Sequence, residues 1–409
     1  MPKTFLGINT FEAAKQRVAW TFDNFEKIYV SYSGGKDSTV MLHLMMDEAI
    51  KRSRTIGILF VDLEGQYKLT IEHIRECLEL YKNNSEYFWI CLPIHLRNAV
   101  SVYEPFWLCW DKEARESWIR ELPKEGISDE SFFPFFGKAM EFEEFVPLFG
   151  EWYAKGEKCA CCVGIRCDES LNRFRTIASK SKVTLDNKQW TTLVTDNVYN
   201  VYPIYDWKTE DLWAYQGKNP NKPYNRLYDY MYKAGLSIHL QRICQPYGDD
   251  QRKGLWLFHL IEPETWGRCV ARVNGANAGS MYVQESGNIM GYRRISKPDK
   301  HTWESFSKLL LSSMPPKTKI HFENKILLYL KWWMEKGYPE GIPDEVDYKL
   351  ETYRLAPSWR RVCKSILRND YWCKGLGFTQ HKSEAYQKYL NLMKRRRESW
   401  QLDYILISN

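Results

Sequence analysis

Short apolar runs alternate with amphipathic stretches over the first ninety residues of the chain. Lys27–Ser33 and Thr55–Val61 are rich in β-branched and aromatic residues, which is typical of buried strands. Apolar residues at helical spacing follow each run, in Ser38–Ile50 and Leu69–Tyr81, and Tyr87–Cys91 is a further strand candidate. Strands that alternate with helices predict a parallel sheet covered on both faces, with right-handed crossovers.

The alternation is interrupted by an aromatic-rich segment at about residues 104–157. Glu104–Tyr153 holds 13 aromatic and 12 acidic residues but only 5 basic ones. We interpret it as an inserted, mostly helical lid or interface. A packing layer without direct chemistry is the favoured role, because aromatic side chains dominate core burial. Strand and helix patterns resume at Val198–Ile204 and Thr209–Tyr215.

The last third of the chain has a helical pattern throughout. Amphipathic segments separated by prolines predict four helices, at Trp303–Leu311, Phe322–Lys336, Trp359–Leu367 and Ser383–Arg397. The sequence therefore predicts an α/β domain over residues 1–290 and a mainly helical domain over residues 291–409.

Composition places the chain among soluble globular proteins. Its 409 residues are 44% hydrophobic and 27% charged, no stretch reaches about 18 uncharged apolar residues, and the first ten residues lack a secretory signal pattern. We expect a cytoplasmic protein without a membrane partner. The 11 cysteines are an odd, scattered set, which indicates reduced thiols rather than a disulfide framework.

The net charge of +7 is concentrated in the helical domain. Residues 291–409 carry 23 Lys and Arg against 13 Asp and Glu. Basic residues alternate with aromatic ones at Lys394–Arg397 and Trp400, and again at Trp359–Arg361. This mixture suits DNA through phosphate contacts and stacking, whereas a solvated basic helix face is the favoured alternative.

The strongest chemical signal is the loop that connects the strand predicted at Lys27–Ser33 to the helix predicted at Ser38–Ile50. It reads Ser33, Gly34, Gly35, Lys36, Asp37, Ser38. Glycines let the backbone approach an anion, and the helix N-terminus, the lysine and the two hydroxyls all attract phosphate. A carboxylate beside a polyphosphate requires a divalent cation between them, which makes Asp37 a candidate Mg²⁺ ligand. The Walker pattern is absent here.

This loop resembles the signature of the PP-loop ATP pyrophosphatases, the adenine nucleotide alpha hydrolase-like fold with a doubly wound parallel sheet. Three later runs resemble the phosphoadenosine phosphosulfate (PAPS) reductase-like branch, and they are Asp62–Glu64, Gly164–Ser170 and Pro203–Trp207 with Pro223–Tyr228. The resemblance covers about residues 10–240. It implies ATP as the nucleotide, Mg²⁺ as the cofactor, and cleavage between the α- and β-phosphates.

The resemblance assigns roles to individual residues. Lys36, Asp37 and Arg166 are the catalytic candidates. Further nucleotide ligands would be Asp62, Glu64 and Arg173, with Ser33, Gly34, Gly35 and Ser38 in the loop. Asp168, Glu169, Asp206 and Trp207 are the substrate candidates. Arginine forks bind phosphate oxygens in pairs, but two alternatives stay open: Arg166 and Arg173 could be salt-bridged to Asp168 or Glu169 on a helix, and Asp206 and Trp207 could form only a structural turn.

The chain departs from the reductases in one respect. It lacks their terminal cysteine motif, and Cys373 is only a faint echo of it. The helical domain instead resembles long PP-loop proteins of the immunoglobulin-binding-regulator A type, which are found beside a ParB-like partner. Three functions follow: an adenylating ATP pyrophosphatase, which is favoured; a sulfonucleotide reductase; or a nucleotide-sensing regulator acting with a ParB-like protein or DNA.

A cluster of cysteines precedes the arginine-bearing run. Cys159, Cys162 and Cys167, with a distant Cys244 or Cys269, form a set that could hold zinc or an iron–sulfur cluster. Free thiols beside the nucleotide loop are the favoured alternative.

Overall fold

The computed structural model describes residues 7–98, 106–137, 140–248, 255–273, 297–298, 300–312, 316–367, 370 and 373–378. Its strands are β1 Lys27–Ser31, β2 Ile56–Val61, β3 Ser85–Ile90, β4 His95–Arg97, β5 Phe106–Leu108, β6 Cys159–Val163, β7 Thr191–Leu193 and β8 Val198–Val201. The helices around them are α1 Thr10–Asn24, α2 Lys36–Lys51, α3 Lys68–Tyr81, α4 Phe142–Ala154, α5 Leu171–Ala178, α6 Thr209–Lys218, α7 Leu227–Lys233, α8 Leu255–Ile261 and α9 Pro263–Arg272.

Six strands form one sheet in the order β3-β2-β1-β6-β8-β7. All neighbours are parallel except β7 and β8, which pair antiparallel at one edge. The chain runs outward from β1 to β3 and returns to the other side of β1 as β6. In such sheets ligands bind where the strand order reverses, at the carboxyl ends of the strands. The loops that follow β1 and β6 meet at that point.

The predicted α/β architecture is confirmed, and β6 is an addition to it. Cys159–Val163 lies between β1 and β8 and is buried along most of its length, as a central parallel strand requires. Small thiols fit this crowded position, so a run interpreted as candidate metal ligands is a strand of the core. The antiparallel edge strand β7 was likewise not predicted.

The aromatic insertion is less helical than its sequence suggests. In its described part, α4 is the one helix of more than two turns, and two short 3₁₀ turns and the β4–β5 hairpin accompany it. Phe133, Phe145 and Phe149 are fully buried. Phe133 packs edge-on against Phe145 and Trp152, and Phe149 packs edge-on against Phe88 and tilted against Trp152. The segment is therefore the packing layer that the sequence favours.

The described residues form two apolar clusters. The first includes members from Ala14 to Val273, and the second includes members from Leu311 to Leu376. The second is built mainly from the helices Trp303–Ser312, Pro316–Glu335 and Trp359–Leu367. Three of the four predicted C-terminal helices are thus present, and Ser383–Arg397 lies outside the described residues. None of the described helices combines the length and apolarity that crossing a membrane requires.

Candidate nucleotide site

The loop after β1 is shaped by its glycines. Gly34 has a φ of +72°, and a Cβ on it would lie 3.0 Å from the Thr70 methyl group. Both the backbone conformation and the close contact therefore disfavour any residue with a side chain at this position. Asn225 fixes this turn from the other side, because its amide nitrogen donates to the Gly34 carbonyl oxygen and to Thr70 Oγ1, each at 3.0 Å. The loop is therefore held in one shape before any ligand arrives.

The loop leads directly into the N-terminus of α2. Gly35 is the N-cap residue and supplies no side-chain acceptor, so no N-cap side chain holds the first-turn N–H groups of this 16-residue helix; the Lys36 N–H donates to Tyr228 instead. The Ser33 and Ser38 hydroxyls lie 3.0 Å apart, and Ser38 also accepts the Ser33 N–H at 3.2 Å. Uncapped N–H groups beside two hydroxyls make this corner suitable for an anion.

Lys36 points across the site rather than into solvent. Its ammonium donates to the backbone oxygen of Gln241 at 2.8 Å and lies 5.1 Å from the centre of the Tyr228 ring. Burial lowers the pKa of Lys36; Asp37 opposes this shift, and Arg166 and Arg242 add to it. The Lys36 N–H donates to the Tyr228 hydroxyl at 2.9 Å. Burial keeps the pKa of that hydroxyl raised, so it remains protonated.

Arg166 reaches the loop from the end of β6. Its Nε donates to Asp37 Oδ1, and its other nitrogens donate to the Trp207 carbonyl oxygen and Thr209 Oγ1, each at 3.3 Å. The side chain is 2% exposed. Close approach of the two loops depends on Gly164, where a Cβ would lie 3.0 Å from the Asp37 carbonyl group. The structure thus brings Lys36, Asp37 and Arg166 together, as predicted from sequence.

The helix start after β6 carries a second set of charges. Arg173 pairs with Glu169 at 3.1 Å, and the Arg242 guanidinium donates to the Glu169 backbone oxygen at 3.1 Å. Burial and the nearby Asp37 raise the pKa of Glu169. Asp168 is exposed to solvent. Arg173 therefore lies in the part of the molecule where it was predicted, but its guanidinium is paired with Glu169, a carboxylate of the same loop.

Asp62 and Glu64 have different partners from those that the sequence suggests. Both carboxylates are fully buried. Asp62 accepts from the Trp89 indole N–H at 2.7 Å and pairs with Arg120. Glu64, which has a φ of +63°, accepts from the Trp110 N–H at 2.7 Å and the Ile119 N–H at 3.1 Å.

The Glu64 carboxylate is also paired with Arg272 of α9 at 2.9 Å. Trp110, Ile119 and Arg120 all belong to the aromatic insertion, whose fold could not be inferred from the acidic motif alone. The two carboxylates therefore attach the insertion and α9 to the sheet. The prediction that Asp62 and Glu64 line a nucleotide pocket is corrected, because their carboxylate oxygens are already bound by N–H groups and arginines of the protein.

Asp206 and Trp207 form a structural turn. Both carboxylate oxygens of Asp206 accept from the Arg17 guanidinium, at 2.7 and 2.6 Å. Trp207 is 1% exposed, and its indole donates to the Thr10 carbonyl oxygen at 3.0 Å. The pair attaches α1 to the sheet, which is the alternative the sequence left open. With both carboxylate oxygens of Asp206 paired to Arg17 and the Trp207 ring buried, neither group is free to bind a substrate, so the ligand-binding prediction is corrected.

The cysteine cluster does not form a metal centre. Cys159 and Cys162 are buried and point to opposite faces of β6, and Cys167 lies beyond the strand end. Within the described residues, no group of three His, Cys, Asp or Glu side chains is arranged to hold a metal ion. Burial raises the pKa of Cys161 to about 12 and raises the pKa of Cys162 well above its ordinary value. The described positions of these cysteines therefore do not match a zinc or iron–sulfur ligand set, an arrangement that the sequence left open without favouring it.

The basic residues of the helical domain are only partly described. Arg360 pairs with Glu345 at 3.1 Å and Glu351 at 2.7 Å, and the buried Arg361 donates to the Gly375 carbonyl oxygen at 2.6 Å. These two arginines stabilise the domain itself. Lys394–Arg397 lies outside the described residues, so binding to DNA or to a ParB-like protein stays a prediction.

Sequence reasoning missed four residues of the site. Asn225 and Tyr228 lie in the run Pro223–Tyr228, whose match to the PAPS reductase-like branch was a usable signal. Gln241 and Arg242 lie beyond the resembling region, and no motif marks them.

Two family profiles match the chain and divide it between them. A phosphoadenosine phosphosulfate reductase domain matches residues 27–91 and 112–234. A domain of unknown function, DUF3440, matches residues 235–340 and 338–387. Together with the parallel sheet and the S-G-G-K-D-S loop at its switch point, they define a protein of the PP-loop superfamily with the long C-terminal extension.

The chain has a full-length relative among the proteins compared. It is 41% identical over 398 residues to YbdN, an uncharacterised protein of Escherichia coli strain K12, with 97% of each chain covered. It therefore belongs to the family of YbdN. A second relative, MJ0973 of Methanocaldococcus jannaschii, is 26% identical over 228 residues, which cover 54% of this chain and 44% of the relative.

Solved structures show distant similarity. PAPS reductase from Candida auris is 15% identical with a TM-score of 0.32, and 57% of this chain and 89% of that chain are covered. FMN adenylyltransferase from Candida glabrata, in complex with FAD and pyrophosphate, is 16% identical with a TM-score of 0.33, covering 54% and 58%. The U34-tRNA thiolase NcsA from Methanococcus maripaludis, with its [4Fe-4S] cluster, is 12% identical with a TM-score of 0.30, covering 68% and 80%.

Proposed function

We propose that the protein is a Mg²⁺-dependent enzyme that cleaves ATP between the α- and β-phosphates to activate an acceptor. One observation carries this proposal: an uncapped helix N-terminus, a glycine turn, Lys36 and Arg166 converge at the switch point of a parallel sheet. Such an arrangement suits a polyphosphate better than a single anion, because it offers backbone donors and two cations side by side.

The division of labour follows from the positions of the groups. The N–H groups at the start of α2 and the Ser33 and Ser38 hydroxyls would bind the terminal phosphates. Lys36 would exchange its Gln241 carbonyl contact for a phosphate oxygen. The acceptor's nucleophilic atom would bond to the α-phosphorus as the bond to the bridging oxygen breaks, and the electron pair would leave with pyrophosphate. Charge stabilisation by Lys36 and Arg166 would favour that departure.

Asp37 is the residue that would hold Mg²⁺. Its Oδ1 is engaged by Arg166, whereas Oδ2 lies 3.8 Å from the Lys36 ammonium, too far for a hydrogen bond. One carboxylate oxygen fits this ion, which keeps several waters and takes its other ligands from substrate phosphates. Bound there, Mg²⁺ would neutralise phosphate charge.

The state of Cys373 does not favour the reductase alternative. Cys373 is fully buried, and burial raises its pKa to about 12, so its thiol is inert. A sensor that binds a nucleotide with little turnover would use the same loop, and product analysis separates it from the enzyme.

The test is to incubate the full chain with ATP labelled at the α-phosphate, with and without Mg²⁺ and a cell extract freed of ATPases as a source of acceptor. We expect AMP or an adenylated product together with pyrophosphate, only when Mg²⁺ is present. ADP as the main product would contradict the proposal. Binding without turnover would favour the sensor, and sulfite release from PAPS with a thiol reductant would identify a reductase.

A further inference from the structure

We infer that Arg242 is a phosphate-binding residue of the nucleotide site, supplied by the part of the chain that matches DUF3440. The inference rests on the proposed function, because it adds a ligand to that polyphosphate site. It assigns a task to residues 235–248, which we call the bridging segment. This segment begins where the PAPS reductase profile ends.

The bridging segment is attached to the nucleotide domain at several points. Gln241 accepts the Lys36 ammonium on its backbone oxygen, and its side-chain nitrogen donates to the Leu236 carbonyl oxygen at 3.1 Å. At the other end, Tyr247 is fully buried and donates to the Cys269 carbonyl oxygen at 2.9 Å. Residues between these anchors are thus held beside the loop and do not depend on ligand to reach it.

Gln241, whose backbone oxygen accepts from the Lys36 ammonium, has a buried side-chain oxygen without a hydrogen-bond partner among the described residues. The residue is 1% exposed. An unpaired buried acceptor costs roughly 1–3 kcal/mol; phosphate offers no donor, so an ordered water or a donor elsewhere on the nucleotide would recover this cost. The unpaired oxygen lies on the residue whose backbone holds Lys36, so it marks the same part of the site.

Arg242 brings a charge to the site without a carboxylate of its own. Within the part of the chain that the structure describes, its guanidinium makes one hydrogen bond, to the backbone oxygen of Glu169. A guanidinium has five N–H donors, so most of this fork is available. Exposed arginines are common, but this one is half-buried and lies against the loop that follows Arg166.

The three cations of the site repel one another. Arg166 and Arg242 both act on Lys36 in the direction that disfavours its charge, and Asp37 and Glu169 act in the opposite direction. Two carboxylates offset three cations incompletely, so a ligand anion would relieve the repulsion that remains in this partly buried site. A pyrophosphate group carries enough negative charge to do so, and an arginine fork can bind two of its oxygens.

The experiment compares the affinities of full-length variants for ATP, pyrophosphate and adenosine by isothermal titration. Arg242→Ala should weaken ATP and pyrophosphate binding about 10- to 100-fold and leave adenosine unchanged. Arg242→Lys should recover part of the loss, because it restores a point charge but not the fork. Arg268→Ala is the matched control, since Arg268 also donates to one backbone oxygen, that of Ile119 at 3.4 Å.

The outcomes separate this inference from the proposed function. If the wild type binds pyrophosphate and Arg242→Ala binds it as tightly as Arg268→Ala does, the inference is wrong and the site stands. If Arg242→Ala loses adenosine affinity equally and the bridging segment loses hydrogen-exchange protection, its role is structural and the inference is again wrong. A wild-type chain that binds neither ATP nor pyrophosphate overturns both proposals. Weakened pyrophosphate binding with ADP as the product contradicts the proposed reaction alone.

Discussion

Arg166 donates to the Asp37 carboxylate across the carboxyl ends of two neighbouring strands, β1 and β6. The two residues are 129 positions apart in the chain, and the contact joins the glycine loop to the arginine loop. Removal of either partner would leave a charge in a partly buried place, which is costly. The pair therefore positions the site as well as supplying its chemistry.

Lys36→Ala should reduce ATP affinity by at least about 100-fold, because the variant loses a charged donor to the phosphates. The free energy of unfolding should fall by about 1–3 kcal/mol, since the lost hydrogen bond has a charged donor and leaves the Gln241 carbonyl oxygen unpaired. Titration calorimetry and urea unfolding measure the two quantities. Lys68→Ala, which removes an exposed lysine paired with Glu264, serves as the control. Wild-type ATP affinity in Lys36→Ala would refute the phosphate site.

Gly164→Ala should destabilise the protein by about 1–3 kcal/mol and weaken nucleotide binding. Its new methyl group would lie 3.0 Å from the Asp37 backbone and push the two loops apart. Gly217→Ala in α6 is the control, because a Cβ there meets nothing within 4 Å. That change should be neutral or stabilise by about 0.5–1 kcal/mol. Equal thermal unfolding curves for both variants would show that the loops do not need their close approach.

Asp206→Asn should lower stability by about 1–3 kcal/mol and leave nucleotide affinity unchanged. The substitution breaks a two-pronged ion pair with the buried Arg17, which occupies both carboxylate oxygens of Asp206. Glu12→Gln, on the same helix as Arg17, removes only an exposed pair with Lys15 and should cost less than about 0.5 kcal/mol. Should Asp206→Asn instead lose substrate affinity at full stability, the structural assignment would be wrong.

Stability should fall as the pH is lowered from about 6.5 toward 4. Burial lowers the pKa of His43 to about 4 and that of His73 to about 3, so both stay neutral in the folded protein while the unfolded chain takes up protons below its ordinary value. The unfolded state then binds more protons, and unfolding becomes easier at lower pH. Each group should contribute a loss on the order of 1–2 kcal/mol at pH 5.

Urea unfolding at several pH values measures this loss, and His73→Gln should reduce its slope below pH 6.5. In that variant an amide replaces the ring that hydrogen bonds to Thr39 Oγ1 at 2.9 Å. An unchanged slope would mean that carboxylates alone account for the acid sensitivity. His239→Gln is the control, because His239 is exposed.

The sequence was sufficient to predict those strands, helices and turns that are determined by residues close together in the chain. The strands and helices around Ser33–Ser38 were predictable, because apolar runs and glycine turns act over a few residues. β6 was not, because its cysteines indicated chemistry when they serve packing. The partners of Asp62 and Glu64 were also beyond reach, because they come from an insertion and from α9. Pairings between residues so far apart in the chain leave no periodic trace.

The first apolar cluster does not end where the PAPS reductase profile ends. Leu257, Phe258 and Trp266 lie after residue 234 and belong to that cluster, and Phe258 stacks on Tyr67 with ring centres 3.7 Å apart. A fragment that ends at residue 234 would lack these buried side chains, and the apolar residues that they cover would be exposed to solvent. A chimera of two relatives would therefore fold only if the junction lay beyond Val273. The segment that evolution can exchange as one folding unit is thus longer than the segment that the PAPS reductase profile matches.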